Sequence, residues 1–377
     1  MMDTVASMGV SLLKRAVYEG FQEGSLFKRA MDGGNDDNAR QLPKWAPLVL
    51  FANLIVFFPV ILYIGYTLNH IYPVLAMVED TKPPAYEPVS LNADTDSLAE
   101  DQIPTGDRPI KIDQQPALIT SSLRRTNRLL YSTAGWTANF RGFMCAIALS
   151  IAMGIAAVVF SAIPFVPGFV GTLLASLVTV QISTTWTHTV IAAPTSKPWF
   201  RRLPPLRRTF EATCLPVFIY WAATTIAQVV PIVVASALGM DVWDPKRPMV
   251  MPEYHGSSAW KSLIVVLLAL FISVFLTIPA HVVLVRVQAS LLAPEEDTII
   301  PFDRSFEGAV EPALVGGKGY VSIKDALRTF TRDSWVRLYK LYIKLFLVSL
   351  AFYAVMAAVI IPEVILMLAK SEKAKGN

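Results

Sequence analysis

Residues 278–290 read Ile-Pro-Ala-His-Val-Val-Leu-Val-Arg-Val-Gln-Ala-Ser and close a long apolar run that begins near Lys261. Pro279 has no backbone N–H, so it removes one helical hydrogen bond and allows a kink. His281 and Arg286 are ionisable side chains at, or just inside, a membrane, where such groups usually serve a purpose. The stretch therefore predicts the basic end of a kinked membrane helix.

The composition of the whole chain indicates a membrane protein. Hydrophobic residues make up 54% and charged residues only 16% of its 377 residues, which predicts several membrane spans. The net charge of +4 is too small to indicate a nucleic-acid partner, so the expected partner is the lipid bilayer. Cys145 and Cys214 both stand at the starts of apolar runs, which favours buried thiols over a disulfide or a metal site.

Six apolar runs are each long enough to cross a bilayer of about 30 Å with roughly 20 helical residues. They are predicted near 46–76, 143–164, 168–193, 213–238, 260–289 and 342–368. The expected fold is therefore all-α, a polytopic membrane protein with six transmembrane helices in a membrane domain over 46–368.

Basic residues alternate between the loops and predict the orientation of the spans. Loops one to five connect the six predicted spans in chain order. Loops one, three and five are rich in Lys and Arg, whereas loop two has no basic residue and loop four has only Lys246 and Arg247. Short basic loops stay on one side of a membrane. Loops one, three and five should therefore share that side, with both termini on the other.

Four segments outside the predicted spans carry predictions of their own. Residues 1–45 form a polar N-terminal segment in which 8–30 have the spacing of an amphipathic helix on a membrane surface. Residues 79–117 and 294–319 are rich in Pro, Gly and acids without periodicity, and are predicted to be disordered loops. Residues 369–377 form a polar tail.

The chain repeats one pattern three times, namely a span, a basic loop with a helix-like segment, and a second span. In the first copy, residues 135–142 read Gly-Trp-Thr-Ala-Asn-Phe-Arg-Gly and lead into span two. In the third copy, residues 333–341 read Asp-Ser-Trp-Val-Arg-Leu-Tyr-Lys-Leu and lead into span six. The segment around His188 resembles the segment around His281, which marks equivalent places in spans three and five.

This organisation resembles the mitochondrial carrier family, whose members have three repeats of two membrane helices. The residues that match the family's structural motifs are Gly135, Phe140, Arg141, Gly142, Pro279, Arg286, Tyr339 and Lys340. The resemblance implies a six-helix bundle around a central cavity and a mitochondrial membrane. It also implies a family history of carrying small solutes.

The chain departs from the family where carriers place the charges of their gate. Leu75, His188 and His281 stand at the positions of the family's acids, and at the positions of its bases the chain has Val78, Ile191 and Leu284. None of the three gate ion pairs can form. The resemblance then implies a carrier-like protein that lacks the usual gate.

His188 and His281 are the sharpest candidates for a functional site. If the repeats align, both point from equivalent depths into a shared interior, where histidine can titrate near physiological pH. The alternative is two interfacial histidines bonded to nearby carbonyls. Gln181, Gln228 and Thr224 are further candidates to line a central cavity, and their alternative role is hydrogen bonding between helices.

Three hypotheses for function remain open at this point. The first is a carrier-like protein that no longer transports and instead binds or organises proteins or lipids, and the missing gate charges favour it. The second is a transporter of a small solute with a non-standard gate. The third is an integral-membrane enzyme, although no paired carboxylates, nucleophile–base arrangement or cofactor motif is present, so neither an enzyme nor a cofactor is expected.

Overall fold

The computed structural model describes residues 40–41, 43, 45–80, 118–240, 259–310, 317–370 and 372–373, and these residues are almost all helical. The predicted all-α class is confirmed. In chain order the α-helices are α1 (Ala46–Leu62), α2 (Tyr72–Val78), α3 (Leu123–Ala134), α4 (Phe143–Ser161), α5 (Gly168–Val178), α6 (Val180–Ile191), α7 (Leu206–Ala237), α8 (Ala259–Ile272), α9 (Ile278–Ser290), α10 (Ile323–Arg328) and α11 (Arg332–Ala369).

The helices supply the six predicted spans. Five continuous stretches are long and apolar enough to cross a bilayer, and α5 with α6 makes a sixth that is bent by 56°. We number the spans one to six: Ala46–Val78, Leu123–Ser161, 168–191, Leu206–Ala237, Ala259–Ser290 and Arg332–Met367. Within span two the first helix, α3, is amphipathic, so α4 is the apolar part.

All three odd-numbered spans lose regular α-helix at a similar distance from their basic ends. A π-helical segment covers Tyr63–Ile71 in span one and Ser273–Thr277 in span five, each just before a proline. Span three bends at Thr179 instead. Departures of this kind have local causes in the hydrogen-bond ladder, and the break in span three bends the helix axis by 56°.

The basic ends of the odd spans converge and hold the core. Helices α2, α6 and α9 contact one another there, and α2 is buried along its whole length. In the most apolar 18-residue stretch of each continuous span, only 6–17% is buried inside the protein. The exposed apolar halves are the surface that a bilayer would cover.

At the opposite end the spans lie in pairs. Spans two and three are joined by a short turn, and spans four and five contact each other through α7 and α8. Phe57 of span one meets Phe352 of span six, with ring centres 6.2 Å apart. Beyond them Arg40–Gln41 pairs antiparallel with Glu372–Lys373. The chain therefore enters and leaves the bundle on the same side, as six spans require.

Loop five differs from the predicted disorder over 294–319. Its residues 294–310 carry no helix or strand, yet Ile300, Phe302 and Phe306 are buried in the core. The backbone N–H of Ile299 also donates to the carbonyl of Ile191 over 3.0 Å. These irregularly spaced apolar side chains fix the segment against the ends of the odd spans.

Some predictions lie outside the described residues. The surface helix over 8–30, most of the predicted disordered loop over 79–117, residues 311–316 of loop five and most of the tail over 369–377 are among these. They stay predictions.

Candidate functional site

A cluster of buried charged side chains lies where spans one, five and six meet the loops. Its buried members are Glu79, Arg286 and Arg337, and Asp80 lies half-buried beside them. Nη1 of Arg337 lies 3.2 Å from Oε2 of Glu79, and the two side chains are only 6% and 0% exposed. A charged pair this deeply buried is costly unless each member has further partners. The further hydrogen-bond partners of each charge therefore determine whether the buried pair is stable.

The carboxylate of Glu79 is hydrogen-bonded to the short segment just before α3. Its carboxylate accepts the backbone N–H groups of Ile119 and Thr120 over 2.6 and 3.1 Å, and it also accepts the hydroxyl of Thr120. Hydrogen bonds to an ionised acceptor are the stronger kind. Glu79 thereby holds the end of loop one against the end of span one.

Two arginines from other spans cover the C-terminal carbonyls of span one. Nη2 of Arg337 donates to the carbonyls of Ala76 and Glu79 over 3.3 and 2.7 Å. Nη1 of Arg286 donates to the carbonyl of Met77 over 3.2 Å. The last carbonyls of a helix lack intrahelical partners and carry the negative end of its dipole, so cations are favoured there.

Arg286 is itself held between aromatic rings. Its guanidinium carbon lies 4.9 Å from the centre of the Phe306 ring and 5.3 Å from that of Phe330. Its Nη2 donates to the hydroxyl of Thr329 over 2.9 Å. A desolvated cation over a ring face is attracted by the ring quadrupole. Arg286, which the sequence marks as an unusual ionisable residue, therefore holds loop five as well as the end of span one.

A small cavity of about 180 Å³ opens beside this cluster, lined by Asp80, Arg286, Asp303, Phe306, Glu307, Thr329 and Thr331. Burial raises the pKa of Asp80 to about 6, against the opposing effects of the Asp303 N–H and the Arg286 charge. At Asp303 burial also acts upward, but hydrogen bonds from Ser305 and Glu307 outweigh it and lower the pKa. Two neighbouring acids therefore titrate in different ranges.

The raised pKa of Asp80 predicts a pH dependence of stability. Between the ordinary value of 3.8 and about 6, the folded chain binds a proton that the unfolded chain releases. The contribution of Asp80 to stability is therefore complete below pH 3.8 and is lost as the pH rises through about 6. We expect Asp80→Asn to flatten the stability curve in this window. Thermal unfolding in detergent at a series of pH values measures it, and an unchanged slope would contradict the assignment.

Arg141, one of the residues of the motif resemblance, covers the end of span three. Its Nη2 donates to the carbonyls of Thr189, over 3.3 Å, and of Ala192. The carbonyl of Arg141 accepts the hydroxyl of Tyr66 from span one. The next residue, Gly142, has φ +67°, and a Cβ added there would lie 3.2 Å from the Trp186 side chain. Only glycine allows this close approach in this conformation.

Gln288 joins spans three and five through its side chain and its backbone. Its Oε1 accepts the Thr187 hydroxyl over 2.7 Å, and its Nε2 donates to the Ser183 hydroxyl over 3.1 Å. Its backbone carbonyl lies 2.8 Å from Nε2 of His188. The buried amide therefore uses both of its polar atoms in contacts between the two spans.

The two candidate histidines have different surroundings. His188 is buried against the Gln288 carbonyl, as the alternative interpretation expects. The ring of His281 stacks on Tyr220 of span four, with centres 5.1 Å apart. The contacts described for these two rings do not join them to each other, so the shared cavity stays a prediction.

The other candidates for a cavity lining use their polar atoms locally. The side-chain amide of Gln181 donates to the Pro204 carbonyl over 2.7 Å, and the Thr224 hydroxyl donates to the Tyr220 carbonyl of its own helix over 3.0 Å. Gln228 is exposed on span four. Gln181 and Thr224 thus bond to a loop carbonyl and to their own helix, and the shared lining stays a prediction.

The remaining motif residues have structural positions. Gly135, with φ +65°, ends α3, and Phe140 packs edge-on against the Phe143 ring. Pro279 lies in the first turn of α9, where a missing N–H is tolerated. The Tyr339 hydroxyl donates to the carbonyl of Val274 over 3.0 Å. Lys340 is exposed.

Sequence reasoning missed most of the charge cluster. One available signal was the acidic pair Glu79-Asp80 directly after the last apolar residue of span one. A repeat outside the cluster was also missed, because the tetrapeptide Leu-Arg-Arg-Thr at 123–126 recurs at 206–209. In both copies the threonine is buried, and its hydroxyl donates to the carbonyl of the residue just before the helix. Spans two and four therefore begin with the same local hydrogen bond.

Among the described residues, no group of three or more His, Cys, Asp and Glu side chains lies close enough together to hold a metal ion. No family model, no curated protein and no solved structure matches the chain. The likeness to mitochondrial carriers therefore rests on the sequence motifs alone.

Proposed function

We propose that the chain is a multi-pass membrane protein that binds or organises proteins or lipids in its bilayer and does not carry a solute through it. The observation that carries this proposal is the way the basic end is closed. Arg286 and Arg337 are buried on the end carbonyls of span one, and Arg141 lies on those of span three. A carrier must open each end in turn, so its closing contacts have to exchange readily.

Breaking these hydrogen bonds to open the basic end should have a large free-energy cost. Each hydrogen bond to a charged group contributes about 1.5–3 kcal/mol, and opening the end would strip several of them from water-free sites. A difference of about 2.7 kcal/mol, half of the roughly 5.5 kcal/mol that inverts such an equilibrium, is enough to hold a two-state equilibrium near 99 to 1. The closed arrangement is therefore expected to persist, which suits a scaffold better than a carrier.

The positions of the missing gate charges support the same proposal. Leu75, Val78 and Ile191 are buried in one apolar cluster where the resemblance would place charged residues, and Leu284 packs separately against Val180 and Val217. The ends of spans one, three and five thus meet through an apolar seam instead of exchangeable ion pairs. Apolar seams of this kind resist opening because water must then enter between the helices.

A solute transporter with a non-standard gate is the second candidate. The breaks in all three odd spans favour it, because transporters bind and hinge at discontinuous helices. A mitochondrial location follows only from the resemblance and stays a prediction.

Distances between spin labels separate the two candidates without knowledge of a solute. With Cys145 and Cys214 replaced by alanine, one label pair would sit at Arg128 and Arg328, which are exposed at the basic end. The matched pair would sit at Leu48 and Trp260, exposed at the opposite end. We expect one narrow distance distribution at the basic end in lipid vesicles. A second, longer population there, with a shorter one at the opposite end, would overturn the proposal and favour the transporter.

A further inference from the structure

Glu363 is an isolated charge in the most apolar part of span six. Between residues 345 and 369 it is the only Asp, Glu, Lys, Arg or His. It lies at the end of the bundle opposite the basic end, six residues before α11 ends at Ala369 and about 9 Å along the helix from that residue. An ionisable residue inside a membrane span marks a site by default, and its partner defines the chemistry.

The partner of Glu363 is Asn53 of span one. Nδ2 of Asn53 donates to Oε2 of Glu363, and both side chains are half-buried. Asn53 lies seven residues after α1 begins at Ala46, about 10 Å along the helix. Helix α1 carries no ionisable side chain, and the nearest ionisable residue beyond Glu363 on its own segment is Lys370. The pair is therefore separated from other charges by apolar helix.

We propose that Glu363 and Asn53 form a proton-binding site within the bilayer, between spans one and six. A side-chain amide carries both donors and an acceptor. The ionised carboxylate accepts the Asn53 N–H, whereas the protonated carboxyl donates its O–H to the Asn53 oxygen. Both protonation states are thus satisfied without repacking the helices. The site goes beyond the proposed function, because it does not depend on whether the basic end opens.

The test uses the full chain in lipid vesicles and two carbodiimides, which react with protonated carboxyl groups. Dicyclohexylcarbodiimide partitions into lipid, and a water-soluble carbodiimide does not. We expect the lipid-soluble reagent to label Glu363, with labelling that falls as the pH rises. The water-soluble reagent should instead label Glu295, which is exposed in loop five. Peptide mass spectrometry identifies each adduct, and Glu363→Gln should abolish the first without changing the second.

Asn53→Leu tests the partner. Loss of the donor to the carboxylate should change the extent to which Glu363 is labelled at a fixed pH, while the labelling of Glu295 stays the same. Three results would overturn the proposal: equal labelling of Glu363 by both reagents, labelling independent of pH, or no labelling until the protein is unfolded in dodecyl sulfate. Unchanged labelling of Glu363 in Asn53→Leu would also overturn it. If a variant fails to fold, the comparison of reagents on the unmodified chain still decides. None of these outcomes bears on the spin-label distances.

Discussion

Replacing Arg337 by methionine should lower the free energy of unfolding by about 3–5 kcal/mol, the usual cost of removing one partner of a buried ion pair. Methionine fills a similar volume but leaves Glu79, whose side chain is 0% exposed, without its opposite charge. The carbonyls of Ala76 and Glu79 also lose their donor. The loss should appear in thermal or denaturant unfolding in detergent, followed by circular dichroism.

An exposed pair provides the matched control. Arg207 lies 2.9 Å from Glu211, but these side chains are 92% and 55% exposed. Exposed pairs contribute little because water screens them, so Arg207→Met should change stability by less than about 1 kcal/mol. Equal effects of the two substitutions would contradict the view that burial gives the Glu79–Arg337 pair its importance.

A double variant separates the charge from the packing. Adding Glu79→Gln to Arg337→Met removes the stranded carboxylate, and the amide oxygen keeps one of the two backbone donors, because Ile119 and Thr120 bind different carboxylate oxygens. The double variant should therefore be more stable than the sum of the single losses predicts, by about 0.5–3 kcal/mol. Simple additivity would show that the two charges do not act as a unit.

The spans could be predicted because their signal is local. A run of about 20 apolar residues reports burial in lipid whatever its neighbours are, and basic loops report the side of the membrane. The charge cluster carries no such local signal. Arg286 bonds to a carbonyl 209 residues away, and Arg337 bonds to one 261 residues away. Sequence marked Arg286 as unusual, but its partners depend on how the spans pack.

Loop five shows where composition misled. Its Pro, Gly and acidic residues are typical of disorder, and Ile300, Phe302 and Phe306 follow neither a helical nor a strand period. Their burial comes from the shape of the surface formed by the ends of the odd spans. Asp303 then shapes the turn by accepting the N–H groups of Ser305 and Glu307 over 2.9 Å each. Such a segment is ordered by tertiary contacts alone.

Glu363 carries no local signal of its own. It is one glutamate in a long apolar run. Its meaning depends on Asn53, which lies 310 residues away and is an ordinary polar residue in span one. Neither residue alone indicates a site, and only the pairing of spans one and six joins them.

Replacing Arg286 by methionine should lower the free energy of unfolding by about 2–4 kcal/mol, because the change removes two hydrogen bonds from a charged donor and two cation–ring contacts. The lost partners are the Met77 carbonyl, the Thr329 hydroxyl and the rings of Phe306 and Phe330. Lysine should not restore the loss, since an ammonium cannot bond in two directions while lying flat between two rings.

Lys340 supplies the control for this substitution. It belongs to the same motif resemblance, but it is exposed on span six, so Lys340→Met should change stability by no more than about 0.5 kcal/mol. The Arg286 variant should also respond differently to pH. The Arg286 charge lowers the pKa of Asp80, so its removal should raise that pKa above about 6. Stability should then continue to fall with rising pH into the neutral range, whereas an unchanged pH profile would show that Arg286 and Asp80 do not interact across the cavity.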